Sequence, residues 1–216
     1  MLLAEALSMN ASDGMGSYDK RGSWLRPLAA AALAMLLLAG AQTVGAQAAA
    51  RSKVHVYLLR GVINVFSLGM DDIAAELQRR GINCSLHNYL VWSALADEAA
   101  EEYKSGQVRT IILVGHSAGA GAVTDMAARL GELGVPVKLA IGLDPGFHAS
   151  VSGLVHRYIN YYVAGGMGKA IDRSPQFRGI LQNIEVGKSL HDVGHLTIDK
   201  NHVMQQRVIR DILAAF

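Results

Sequence analysis

From about residue 50 onward the chain alternates between two hydrophobic periods. Residues 53–59 (KVHVYLL) form a β-branched, apolar run that ends at Arg60-Gly61. Residues 71–80 (DDIAAELQRR) then set Ile73, Ala74 and Leu77 at helical spacing, and Gly81 stops the pattern. Residues 82–90 read as a second strand. Residues 93–104 read as a second helix, with Ser93 as its N-cap and Asp97, Glu98, Glu101 and Glu102 on its wet face. Residues 109–114 (RTIILV) are nearly continuous in apolar character, as a central parallel strand buried on both faces must be.

The alternation continues to the end. A helix is expected over residues 120–130, a strand over 135–143 (VPVKLAIGL), and two more strands over 158–163 and 183–186. A last amphipathic helix over 201–214 offers Val203, Val208, Ile209 and Leu213 to a sheet. Six strands alternating with helices predict an α/β fold: an open, mostly parallel six-stranded sheet with helices on both faces. Residues 146–157 and 164–180 are irregular, a natural source of active-site loops.

The N-terminal part follows a different rule. Residues 27–41 (PLAAAALAMLLLAGA) are almost wholly apolar, Lys20, Arg21 and Arg26 precede them, and Val44-Gly45-Ala46 and Ala46-Gln47-Ala48 follow. A basic head, an apolar run and a small-residue cleavage site predict a secretory signal peptide within residues 1–48, cut after Ala46 or Ala48. The run is short of the roughly 20 residues that a spanning helix needs. An uncleaved N-terminal anchor is the alternative. Residues 1–19 fit neither reading, and Met9 or Met15 is an alternative start. The expected location is periplasmic or secreted, or membrane-anchored if the segment is retained. Residues 51–216 are then the folded domain.

Composition narrows the function. The 216 residues are 51% hydrophobic and 18% charged, with a formal net charge of +2. That charge is too small for a nucleic-acid binder, and the 6% aromatic content argues against a base-stacking platform. Cys84 is the single cysteine, so no internal disulfide holds the fold. Within a strand it reads as a small buried apolar residue rather than a reactive thiol.

The chemical signal is Gly115-His116-Ser117-Ala118-Gly119, which fits G-x-S-x-G. A buried strand runs into it and a helix follows. So tight a turn needs small residues on both sides of the serine, and it holds the serine in a strained conformation at the C-terminal edge of the sheet. The following helix directs free N–H groups and its positive end at the same spot. A serine hydroxyl is a poor nucleophile at neutral pH; it needs a base to take its proton, and the base needs a carboxylate to fix its tautomer.

At this point the chain resembles the α/β-hydrolase superfamily, and within it the small lidless bacterial lipases and esterases that lack the first two strands of larger members. The resemblance spans residues 53–216 in element order, and its specific part is the run from Val114 to Gly119. It implies the chain order Ser, then Asp or Glu, then His. It also places the histidine just ahead of the last helix, which points to His195, in Gly194-His195-Leu196-Thr197-Ile198-Asp199. His202 and His191 are the alternatives.

For the acid, Asp144 ends the strand directly after the elbow helix, and Pro145-Gly146 turns the chain away. Many members carry the acid one strand later, but here that strand ends in Val163-Ala164-Gly165-Gly166; some, such as the pancreatic lipases, use the earlier position. Asp172 is the second candidate and Asp192 the third. The oxyanion hole is expected to draw one N–H from Ala118 and another from Gly61 or Val62, with Asn64 as an optional side-chain donor.

The expected activity is hydrolysis of a small carboxylic ester or thioester through an acyl-enzyme, with no cofactor. The alternative is a catalytically inactive binding protein of the cell envelope that keeps the fold. The pair His191 and His195, four residues apart, has a zinc-binding spacing only on a helix; Gly194 and the missing helical period argue against one.

Overall fold

The computed structural model describes residues 52–62, 68–146 and 149–216. The expected signal peptide or anchor and Asn64 lie outside the described residues.

Six strands pair in parallel throughout: β1 (Val54–Arg60), β2 (Asn83–Asn88), β3 (Thr110–His116), β4 (Val137–Leu143), β6 (Val155–Tyr162) and β8 (Ile180–Glu185). Their order across the sheet is β2-β1-β3-β4-β6-β8. The helices are α1 (Gly69–Arg79), α2 (Trp92–Lys104), α3 (Ala118–Glu132) and α4 (His202–Leu213). The expected α/β class and the helices on both faces are what the structure has.

The apolar runs explain the layering. Alternate residues of a strand face opposite sides. On β3, Ile111 and Leu113 pack with α2 and α3, whereas Ile112 and Val114 pack with α1 and α4. All four are fully buried, so the central strand needed four apolar residues in succession. Buried Ile73 and Leu77 seat α1, and buried Met204, Val208 and Ile212 seat α4 on that same face. Among the described residues, no helix is long and apolar enough to cross a membrane.

Several expectations needed adjustment. The second strand stops at Asn88, whose side chain accepts from the Leu90 N–H and starts a 3-10 turn over Tyr89–Val91. That turn leads into α2 at Trp92, so Ser93 is an exposed residue inside the helix and not its cap. Glu102 leaves the wet face: its carboxylate accepts from the hydroxyl of Tyr57 and lies 2.9 Å from Nδ1 of His55. On α4, Val203 is exposed and Met204 takes the inward position. Cys84 is half-buried, with Sγ 3.5 Å from the Ala74 carbonyl. The two irregular stretches contain a small parallel pair, β5 (Ser150–Val151) with β7 (Asp172–Arg173).

The topology selects one place for a ligand. From β1 the chain moves outward to β2, then returns to the other side of β1 for β3 and continues the opposite way. The connections after β1 and β3 therefore diverge to opposite faces, α1 on one and α3 on the other. Such a reversal opens a crevice at the carboxyl ends of the strands. Gly61 and Ser117 both lie there.

Candidate active site

The turn from β3 into α3 is as tight as the motif requires. Ser117 has φ 57° and ψ −120°, a left-handed backbone that non-glycine residues rarely adopt. Two contacts lock it: its N–H donates to the Leu143 carbonyl at 2.9 Å, and its own carbonyl accepts from Ala120 at 3.0 Å. A Cβ on Gly115 would lie 2.2 Å from the Gly119 carbonyl oxygen, and one on Gly119 would lie 2.1 Å from that of Leu59. The two glycines are there because backbone passes against backbone. The helix begins at once, at Ala118, two residues earlier than the hydrophobic pattern suggests.

Of the three candidate histidines, the structure brings His195 to the serine. Its Nε2 is 2.9 Å from Ser117 Oγ. Its Nδ1 is 2.7 Å from Asp144 Oδ2. The ring thus sits between hydroxyl and carboxylate: Nδ1–H donates to Asp144, and Nε2 accepts from Ser117. His202 is exposed at the start of α4 and lines a groove between α1 and α4 with Asp72 and Glu76. His191 is exposed.

Asp144 is fully buried and held from two sides. Oδ1 accepts from the Val163 N–H at 2.7 Å, leaving Oδ2 for the imidazole. Its backbone, at φ 50°, bends as β4 ends, and its N–H donates to the Tyr161 carbonyl at 2.7 Å. Gly168 presses on the same carboxylate: a Cβ there would fall 1.6 Å from Oδ1. Asp172 is instead an exposed residue of β7, and Asp192 is exposed on the loop before His195.

Ala118 is the first residue of α3, where an N–H has no partner within the helix. Because Gly119 packs directly on Leu59 and Arg60, the chain leaving β1 through Gly61 and Val62 starts beside the elbow. Gly61 is buried and Val62 exposed. A Cβ on Gly146 would lie 3.8 Å from Ser117 Oγ, 3.8 Å from the His195 ring and 3.7 Å from the Met167 methyl. An open groove of about 280 Å³, walled by Tyr89 and Trp92, adjoins Ala118 along α3.

Sequence reasoning passed over His116, the first variable residue of the motif, and Asp199. Both are buried, His116 against the His195 backbone and Asp199 behind His116. Burial pushes the His116 imidazole below its ordinary range and the Asp199 carboxyl above its own. No period or spacing singles them out; only the fold brings residues 116 and 199 together.

No family model matches the chain. No curated protein matches it either. A solved structure from Xanthomonas campestris pv. campestris, named a "putative hydrolase of the alpha/beta superfamily", is similar at 12% identity with a TM-score of 0.41, over 75% of this chain and 99% of that one. So slight a likeness carries no argument about function.

Proposed function

We propose that the protein is a serine hydrolase that cleaves small carboxylic esters or thioesters through an acyl-enzyme. One observation carries this reading: a hydroxyl, an imidazole and a buried carboxylate form a continuous hydrogen-bonded chain, at 2.9 Å and 2.7 Å, on a strained turn at the sheet's crevice. Strain of this kind persists where the surroundings impose it, and it clusters at reactive sites.

In this reading His195 takes the Ser117 proton as Oγ attacks the carbonyl carbon. The oxyanion is held by the Ala118 N–H with a second donor from Gly61 or Val62. The His195 imidazolium then protonates the leaving group, and the acyl group remains on Oγ. Water enters, gives its proton to His195, and releases the acid as Ser117 recovers its hydrogen. Asp144 keeps the Nδ1–H tautomer and stabilises the imidazolium. These groups supply every proton movement that acyl transfer needs. The basic residues in front of the apolar segment and the small-residue site behind it support a periplasmic or secreted location.

The test is Ser117→Ala, read with a short p-nitrophenyl ester and a fluorophosphonate probe. The variant should lose turnover to near background, a fall of about 10⁶ in kcat by analogy with other serine triads. The wild type should take the probe at Ser117 alone. A wild type that neither reacts nor turns over ester is the inactive binding protein of the alternative reading.

A further inference from the structure

His116 follows directly in the chain before the nucleophile, yet its ring does not enter the reaction path described above. It is 1% exposed and turned toward the base loop from below. Nε2 lies 2.8 Å from the backbone carbonyl of His195, so Nε2–H donates to the peptide that carries the base. The two imidazole centroids are 5.5 Å apart.

Behind this ring sits Asp199, fully buried. Its Oδ1 is 4.0 Å from His116 Nδ1, within electrostatic reach but beyond a hydrogen bond. That oxygen has no hydrogen-bond partner among the described residues. The other, Oδ2, accepts from the Gly69 N–H at 3.0 Å. A Cβ on Gly69 would lie 2.1 Å from the Asp199 carbonyl oxygen, so the start of α1 is pressed against the same residue. An unpaired buried carboxylate oxygen is costly and rare. Its place beside a ring that clamps the base argues for a role there.

We propose that His116, backed by Asp199, is a positioning residue that fixes the His195 backbone so that the imidazole meets both Ser117 and Asp144. The inference rests on the proposed triad and goes beyond it. The base lies on a loop braced within itself by Thr197, whose hydroxyl accepts from the Gly194 N–H at 2.9 Å. Near His195 itself, the donor from His116 ties this loop to β3. The His195 carbonyl can only accept, so it is this contact that places the imidazole hydrogen on Nε2. An imidazole displaced by about 1 Å costs on the order of 100-fold in rate.

The experiment compares His116→Gln with His116→Leu in the full chain, using p-nitrophenyl ester kinetics, fluorophosphonate labelling rates and urea unfolding. Both variants remove the imidazole that faces Asp199, and the urea midpoints measure what each loses in stability. They differ in the donor, because the glutamine amide reaches where Nε2 stood. His116→Leu should lose about 10- to 100-fold in kcat and in labelling rate with KM nearly unchanged, and His116→Gln should stay within about threefold of wild type. If His116→Leu does not fold, His116→Asn replaces it, since its shorter amide stops short of the carbonyl. Equal kcat in the glutamine variant and its donor-less counterpart overturns the proposal. A wild type active where Ser117→Ala is dead leaves the nucleophile in place whichever way that comparison falls.

Discussion

At the scale of single residues, the site depends on how two buried polar groups are shared. Asp144 divides its carboxylate between the Val163 N–H and the His195 imidazole. Asp144→Asn keeps the shape and can still accept from Val163, but it turns an NH₂ toward Nδ1. The imidazole must then flip its tautomer, and Nε2 carries a hydrogen where it should accept one. We expect kcat to fall by about 10⁴ with little change in fold, measured by ester turnover and circular dichroism. A full-rate variant would remove Asp144 from the mechanism. Gly168→Ala tests the same carboxylate from outside: its methyl would overlap Oδ1, and backbone must move before the ring can be held. Turnover should drop about tenfold or more, with the loss in kcat, as for any group displaced from a positioned base. Ser117 and the Ser-Asp-His order were legible because they rest on a local motif and chain order. Gly168, His116 and Asp199 were not, because each acts through a contact that only the tertiary structure creates.

At the scale of elements, the elbow is a packing problem before it is a chemical one. The first turn of α3 lies so close to the end of β1 that Gly119 touches the Leu59 and Arg60 carbonyls, and a side chain has nowhere to turn. Gly119→Ala should destabilise the protein by about 3 kcal/mol or more, since rigid backbone cannot yield as a side chain does. Two residues on, a Cβ at Gly121 meets nothing within 4 Å. Gly121→Ala in the same helix should stabilise by about 0.5–1 kcal/mol through helix propensity. Urea midpoints of the pair decide the matter, and equal effects would show that packing does not set the elbow. The same contrast explains which elements the sequence announces. β3 and β4 carry long apolar runs and α4 a clear amphipathic period, so each is visible from one segment alone. The two-residue strands β5 and β7 are too short to show any period. The turn at Tyr89–Val91 depends on one Asn88 side-chain contact, which a strand-like composition conceals.

At the scale of the whole molecule, the sheet buries tyrosines from both faces, and this couples the fold to alkaline pH. Tyr158 is fully buried, and burial pushes its phenol far above the ordinary range. Tyr57 and Tyr161 shift the same way, first through burial and then through hydrogen bonds to Glu102 and Asp211. All three folded-state values are raised, so their contribution to stability is fully present below the unfolded value of about 10. Above it the unfolded chain releases these protons while the native protein keeps them, and stability falls as pH rises. For Tyr158 alone the slope is about 1.4 kcal/mol per pH unit, and the other two add in the same direction. In an alkaline titration followed by tyrosinate absorbance, Tyr57, Tyr158 and Tyr161 should therefore ionise only in a cooperative step that coincides with loss of circular dichroism. Tyrosines that all titrated together in the folded protein would mean that the faces of the sheet admit water, and the core that supports the Ser117 turn would be looser than its packing indicates.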